Sequence, residues 1–200
     1  MNSIELLDGA MGSEFIKRGY NLPKYIWSAQ LNIEAQELVS QIHSEYISAG
    51  SNYITTNTFR STSRSYLKTG LNSKYAVQMA NSSLVNAVSL AKKASKSKCK
   101  ILGSIAPLED CYKPELFPGY DIAKKEFKEI AKLFNKTDID FFLIETMNSI
   151  TESKACLDEV SLYDKPIWVS FILKDNKHIL SGESLIDVIN MLNNYSIDCM

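Results

Sequence analysis

Short apolar runs that end in small or polar residues alternate along this chain with stretches of helical spacing, and that alternation constrains the fold more than any other feature. The runs are Ile4-Glu5-Leu6-Leu7 before Asp8-Gly9, Tyr53-Ile54 before Thr55-Thr56-Asn57, and Lys100-Ile101-Leu102 before Gly103-Ser104. Two more are Phe141-Phe142-Leu143-Ile144 before Glu145-Thr146, and Ile167-Trp168-Val169-Ser170-Phe171-Ile172. Most lack an in-out alternation, as expected of parallel strands covered on both faces. Between them the helix period is plain: Leu38, Ile42 and Tyr46 share a face, as do Val77, Ala80, Leu84 and Val88. So do Phe127, Ile130, Ala131 and Phe134, and then Leu185, Val188, Ile189 and Leu192. The first of these helices is expected to stop at Ala49-Gly50, where glycine takes the left-handed cap conformation. A shorter helix begins near Thr151, with Ser149 or Thr151 as its cap.

Repeated βα units admit a closed (β/α)8 barrel or an open doubly wound sheet, and both demand right-handed crossovers. Five units in roughly 195 residues is about 39 per unit, so a complete barrel at that rate needs on the order of 300 residues. The expectation is one domain over residues 1–200 holding the first five units, with Ser196–Met200 as the opening of a sixth strand.

Composition narrows the function classes. Twenty-two basic and 23 acidic residues are scattered along the chain for a formal charge of -1, so no electrostatic stripe suits a nucleic acid backbone or an anionic membrane. No apolar run approaches the ~20 residues that cross a bilayer, and Met1-Asn2-Ser3-Ile4-Glu5 does not look like a signal peptide, so a cytoplasmic location is expected. Cys99, Cys111, Cys156 and Cys199 are far apart in sequence and show no C-x-x-C pairing, which reads as reduced thiols. Lys92-Lys93-Ala94-Ser95-Lys96-Ser97-Lys98 complements a helix dipole and is expected to stay solvated.

In either architecture the site lies at the carboxyl ends of the strands. The residues there are Asp8, Thr56, Asn57, Ser104, Glu145 and Ser170. Carboxylates and hydroxyls together suit a ligand that carries an ammonium group. Glu145 reads equally well as a cap or a surface salt bridge at a strand-helix junction. Asp8-Gly9-Ala10-Met11-Gly12-Ser13 lets backbone approach a ligand closely, but it lacks the spacing of a phosphate loop, and Asp8 would repel an anion. His43 and His178 lack an accompanying nucleophile motif and read as packing or surface histidines.

These residues carry a family resemblance. Asp8-Gly9-Ala10-Met11-Gly12-Ser13 resembles a "DGAMGT" opening, and Ala49-Gly50-Ser51-Asn52-Tyr53-Ile54-Thr55-Thr56-Asn57-Thr58-Phe59 resembles "AGA-x-x-I-x-TNTF". Gly103-Ser104-Ile105-Ala106-Pro107 resembles "GS-[IL]-[AG]-P", and Leu143-Ile144-Glu145-Thr146 resembles "LIET". In this order, over essentially the whole chain, the motifs are similar to the homocysteine-binding domain of the homocysteine S-methyltransferases.

The resemblance implies a (β/α)8 barrel with homocysteine across its mouth, contacted by Asp8, Gly9, Thr56, Asn57 and Glu145. It implies methyl transfer to the homocysteine thiol to give methionine, with zinc held by three cysteines in "G-x-N-C" and "GGCC" motifs. Neither motif occurs in this sequence. No catalytic or metal-ligating residue is therefore assigned, no cofactor is expected for this chain, and zinc is expected for the full-length family member. Cys199 is expected to face the core of the sixth strand. The methyl donor is left open among S-methylmethionine, S-adenosylmethionine, betaine and a cobalamin or folate system. A partial barrel leaves strand edges open, so self-association is expected. Two other readings stand beside this one: a non-catalytic remnant that binds an amino acid or a partner, and an open flavodoxin-like α/β protein.

Overall fold

A computed structural model describes residues 4–200. Its backbone packing falls into two compact units, one running to Ser104 and including Lys136–Asp140, the other comprising Ile105–Asn135 and Phe141–Met200.

The first unit contains α1 (Met11–Lys17), α2 (Leu31–Glu34), α3 (Gln36–Ser48), β1 (Tyr53–Thr55), α4 (Ser63–Leu67), α5 (Ser73–Ser95) and β2 (Lys100–Ile105). β1 and β2 pair in parallel with Ile54 opposite Ile101, both buried. On the other side of β1 the expected first strand shrinks to one parallel bridge, Leu7 with Tyr53. Leu6 and Leu7 remain 49% and 48% exposed, so this segment lacks the two-sided cover that a full parallel strand takes.

α3 ends as its sequence requires, with Gly50 at φ +109°. α5 starts on Asn72, whose side-chain oxygen accepts the Tyr75 N–H at 3.1 Å, a cap worth about 1 kcal/mol. Its buried face is Ala76, Ala80, Ser83, Leu84, Ala87, Val88 and Ala91. The expected face was rotated by one residue at its start: Val77 is 47% exposed and Ala76 is buried in its place. Hydrophobicity alone favours the larger valine, but an alanine-lined stripe lets the helix lie close against its neighbours. Lys92 and Lys93 occupy the last turn and are exposed, as expected of residues that answer the dipole.

The second unit contains α6 (Tyr120–Phe134), β3 (Phe141–Met147), α7 (Ile150–Val160), β4 (Ile167–Phe171) and α8 (Leu185–Leu192). α6 buries Ala123, Phe127, Ala131 and Phe134 on one stripe. Phe134 meets Phe142 of β3 edge to face, with ring centres 6.4 Å apart. Of the two candidate caps for α7, Ser149 is the one used, accepting the Glu152 N–H at 3.3 Å. β3 and β4 are parallel, and Cys199 bridges Trp168 on the far side of β4, also in parallel. The Val169 N–H donates to the Cys199 carbonyl at 2.9 Å, and the expected sixth strand is present as this single bridge. Cys199 itself is exposed rather than core-facing, because this segment makes a single bridge instead of a covered strand.

Within each unit, neighbouring strands are consecutive in the chain: the Leu7 segment, β1 and β2 in one, and β3, β4 and the Cys199 segment in the other. A flavodoxin-like sheet places its second and third strands on opposite sides of the first, which the first unit does not do. Sequential parallel neighbours are the barrel pattern. Among the described residues no helix is long and apolar enough to cross a membrane.

Candidate functional site

The end of β1 is built from polar side chains that satisfy one another. The Asp8 N–H donates to the Tyr53 carbonyl at 3.0 Å, and the Asp8 carboxylate accepts the Thr55 N–H at 2.9 Å. Asp8 is half-buried and Gly9 is exposed. A Cβ on Gly9 would stand 2.7 Å from the Tyr46 hydroxyl, and one on Gly12 would stand 2.5 Å from the indole nitrogen of Trp27. Glycine is what lets this loop lie against those two rings. Trp27 has φ +45° and is 40% exposed, an unusual backbone for a bulky residue.

Thr56 and Asn57 follow directly on β1, and both are buried. Thr56 donates its N–H to the Leu102 carbonyl at 2.9 Å and accepts the Ser104 N–H on its hydroxyl at 3.0 Å, extending the β1–β2 ladder. The Asn57 amide donates to the Ser28 carbonyl at 2.9 Å and to Asn32 Oδ1 at 2.8 Å, and it accepts the Ser28 hydroxyl at 2.6 Å. Asn32 extends the network, donating to the Asn57 carbonyl at 2.7 Å and to the Ser83 hydroxyl at 3.0 Å. Ser28, Asn32 and Ser83 were not singled out from the sequence. Ser83 could have been, since it falls on the alanine stripe of α5.

Glu145 belongs to the second unit, on β3, and is half-buried after three fully buried residues. The ladder pairs Ile144 with Val169 and then Met147 with Phe171, so two residues of β3 face one residue of β4. That is a β-bulge at Glu145-Thr146 opposite Ser170, and Thr146 sits there at φ +55°. Beyond it, the buried amide of Asn148 donates to the Cys111 carbonyl at 3.0 Å, while its Oδ1 has no partner. The Glu152 carboxylate, also buried, accepts the Leu108 N–H at 2.8 Å.

The remaining candidates are chemically quiet. His43 is buried on α3 with both ring nitrogens unpartnered, and burial lowers its pKa to about 4, so it is neutral. His178 lies in a hairpin-like stretch with its ring nitrogen 2.9 Å from Asp175. Burial, followed by the charges of Glu152 and Glu159, pushes the Cys156 thiol well up, and burial also raises Cys99. Among the described residues no group of three or more His, Cys, Asp or Glu side chains is placed to hold a metal.

Comparison with known proteins places the chain in a family. The family profile described as homocysteine S-methyltransferase matches residues 5–200. The chain belongs to that family. It is 27% identical to the homocysteine S-methyltransferase of Escherichia coli strain K12, over 96% of this chain and 66% of the relative. It is 29% identical to homocysteine S-methyltransferase YbgG of Bacillus subtilis, over 95% of this chain and 65% of the relative. The chain thus spans about two thirds of the length of these relatives.

The crystal structure of the homocysteine methyltransferase MmuM from Escherichia coli in its metallated form superposes with a TM-score of 0.86 at 25% identity, covering 97% of this chain and 72% of that one. The fold is therefore that of the (β/α)8 family, and the open flavodoxin-like alternative is overturned. That relative was solved with metal. The side chains described here do not match a metal site: no group of three ligands gathers, and two of the four thiols are held away from the thiolate form that binds metal.

Proposed function

We propose that this chain is a homocysteine S-methyltransferase-type protein that binds homocysteine at its strand ends. The observation that carries the reading is the family match over residues 5–200, which includes every strand end named above. The chemistry attributed to the full-length enzyme is transfer of a methyl group from an activated donor to the homocysteine sulfur. The new S–CH3 bond forms as the donor's bond to that methyl breaks, the thiol proton departs, and methionine results. Zinc is assigned to the full-length family member, and the donor is one of the four types named earlier.

In this chain Asp8 and Glu145 are the carboxylates that the family resemblance assigns to homocysteine contact. Gly9 is assigned to close backbone approach. Thr56 and Asn57, whose side chains also bond within the protein, are assigned with them to the substrate site. A charged carboxylate that accepts from an ammonium group contributes about 1.5–3 kcal/mol. The location is read as cytoplasmic and the chain as self-associating, with no nucleic acid partner.

A second reading, an amino acid-binding module without catalysis, is favoured by the lack of a metal-ligand group among the described residues. Calorimetric titration with L-homocysteine tests the shared core of both. Measurable binding that weakens by about one to two orders of magnitude in Glu145→Gln supports it. Binding that is absent, or that is indifferent to both Asp8→Asn and Glu145→Gln, removes homocysteine as the ligand. Methionine formation by the same sample separates enzyme from module.

A further inference from the structure

We propose that Thr146 and Ser170 form a positioning device that fixes the direction of the Glu145 carboxylate toward the ammonium group of a bound amino acid. This deepens the homocysteine reading and rests on it. In a regular strand, side chains alternate between faces, so the carboxylate's direction would be set by register alone. Here the register slips between Ile144 and Met147, and the extra residue releases Glu145 from that alternation.

The slip has a cost in the backbone. Thr146 is β-branched and stands at φ +55°, a region that glycine or asparagine enters far more readily. Such a conformation persists only where its surroundings over-determine it, and it is found preferentially at ligand clamps and active sites. Its holders are in place. The Thr146 N–H, taken off the ladder by the bulge, donates to the Ser170 hydroxyl at 3.1 Å. The Thr146 hydroxyl donates to the carbonyl of Glu145 at 2.7 Å, and the Met147 carbonyl accepts the Ile172 N–H at 2.8 Å just beyond. Ser170 is exposed, so its hydroxyl has no role in filling the core. What it does at the bulge is accept the Thr146 N–H. Thr146 and Ser170 are thus positioning residues, and Glu145 is the group that meets the ligand.

The test uses the full chain, with L-homocysteine kept reduced by a phosphine as the calorimetric probe. Ser170→Ala is expected to weaken binding about 3- to 10-fold, the usual worth of one hydrogen bond, and Ser170→Thr to restore it. In Ser170→Ala alone, the Thr146 amide should exchange faster and its carbon chemical shifts should leave left-handed values. Thr146→Gly, which folds without strain at positive φ, should also bind more weakly because it loses the hydroxyl clamp. Full affinity in Ser170→Ala or Thr146→Gly, or lost affinity with the Thr146 signals unmoved, would overturn the proposal while leaving homocysteine as the ligand. No binding by the unaltered chain would overturn the homocysteine reading and the proposal with it.

Discussion

Asn57 donates through its amide nitrogen to Asn32 Oδ1 at 2.8 Å, with both side chains buried in the first unit. Both amide hydrogens of Asn57 are spent inside the protein, as is one lone pair of its oxygen, which accepts from Ser28. Asn57→Ala strands the Ser28 hydroxyl, the Ser28 carbonyl and Asn32 Oδ1 away from water. Each buried group left unpaired costs about 1–3 kcal/mol, and the three are coupled, so a loss of roughly 2–4 kcal/mol is expected. Urea denaturation measures it. A change under about 0.5 kcal/mol would mean that the network is not what holds the end of β1.

His43 links stability to acidity. Its folded pKa of about 4 lies below the ordinary 6.5 because burial penalises the charged ring. The unfolded chain therefore binds the proton first. Stability from this site is fully present above about pH 6.5 and is lost as pH falls toward 4, by roughly 3 kcal/mol at the lower end. Melting temperatures recorded across that window should fall in the unaltered chain and change much less in His43→Leu. Parallel pH profiles for the two would remove His43 as the cause.

In the second unit Asp158 ties α6, α7 and the segment after α8 together. It accepts the Tyr120 hydroxyl from α6, the Tyr195 hydroxyl from beyond α8 at 2.5 Å, and the Lys154 ammonium within α7 at 2.8 Å. Burial alone would raise its pKa, but the bonds to Lys154, Tyr120 and Tyr195 outweigh that and hold it at about 2. The same site pushes Tyr195 up to about 12, through burial first and then the Asp158 carboxylate. Asp158 is partly solvated, so screening leaves on the order of 1 kcal/mol. That contribution is present above the ordinary pKa of 3.8 and is lost as pH falls toward 2. Asp158→Asn should therefore lower the melting temperature at pH 7 by a few degrees and make little difference near pH 2. An equal effect at both values would show that packing, not charge, is at work.

What the sequence revealed follows from what kinds of signal it carries. Parallel strands announce themselves through unbroken apolar runs, and Asp8, Thr56, Asn57 and Glu145 are candidates because they stand at the ends of those runs. Helix phase was less secure: Val77 outweighs Ala76 in hydrophobicity, yet close packing prefers the alanine. Ser28 and Asn32 were invisible because their importance lies in meeting Asn57 across 29 and 25 residues of chain. The bulge at Thr146 could not be read at all, since threonine is an ordinary strand residue and only the register with β4 shows that it is displaced.

The glycines of the first loop give a sharper test of that geometry. A methyl group at position 12 would stand 2.5 Å from the Trp27 indole nitrogen, so Gly12→Ala must displace the ring. Overpacking of this kind costs about 1–3 kcal/mol. Because Trp27 is partly exposed, its fluorescence should shift in the variant, with a matching loss in denaturant midpoint. An unchanged emission spectrum would mean that the loop and the ring do not touch.

The last expectation concerns metal. A metal ion held by cysteines needs thiolates, and a thiolate forms readily only where its pKa is lowered by nearby positive charge or by the metal itself. Cys156 is fully buried, and both burial and the neighbouring Glu152 and Glu159 charges push its thiol the other way. Burial likewise raises Cys99, with Asp8 and Asp140 adding to the effect. Cys111 is buried and Cys199 exposed, and among the described residues no three ligands converge around either. Bringing these four side chains together would mean unpacking α7, and returning its apolar face to water costs several kcal/mol. The purified chain should therefore hold well under one zinc per molecule after dialysis and form no methionine from homocysteine with S-methylmethionine, S-adenosylmethionine or betaine. Metal analysis and product detection on one sample check both halves. Stoichiometric zinc that survives dialysis and comes with turnover would overturn the expectation and would require ligands other than these thiols in their present places.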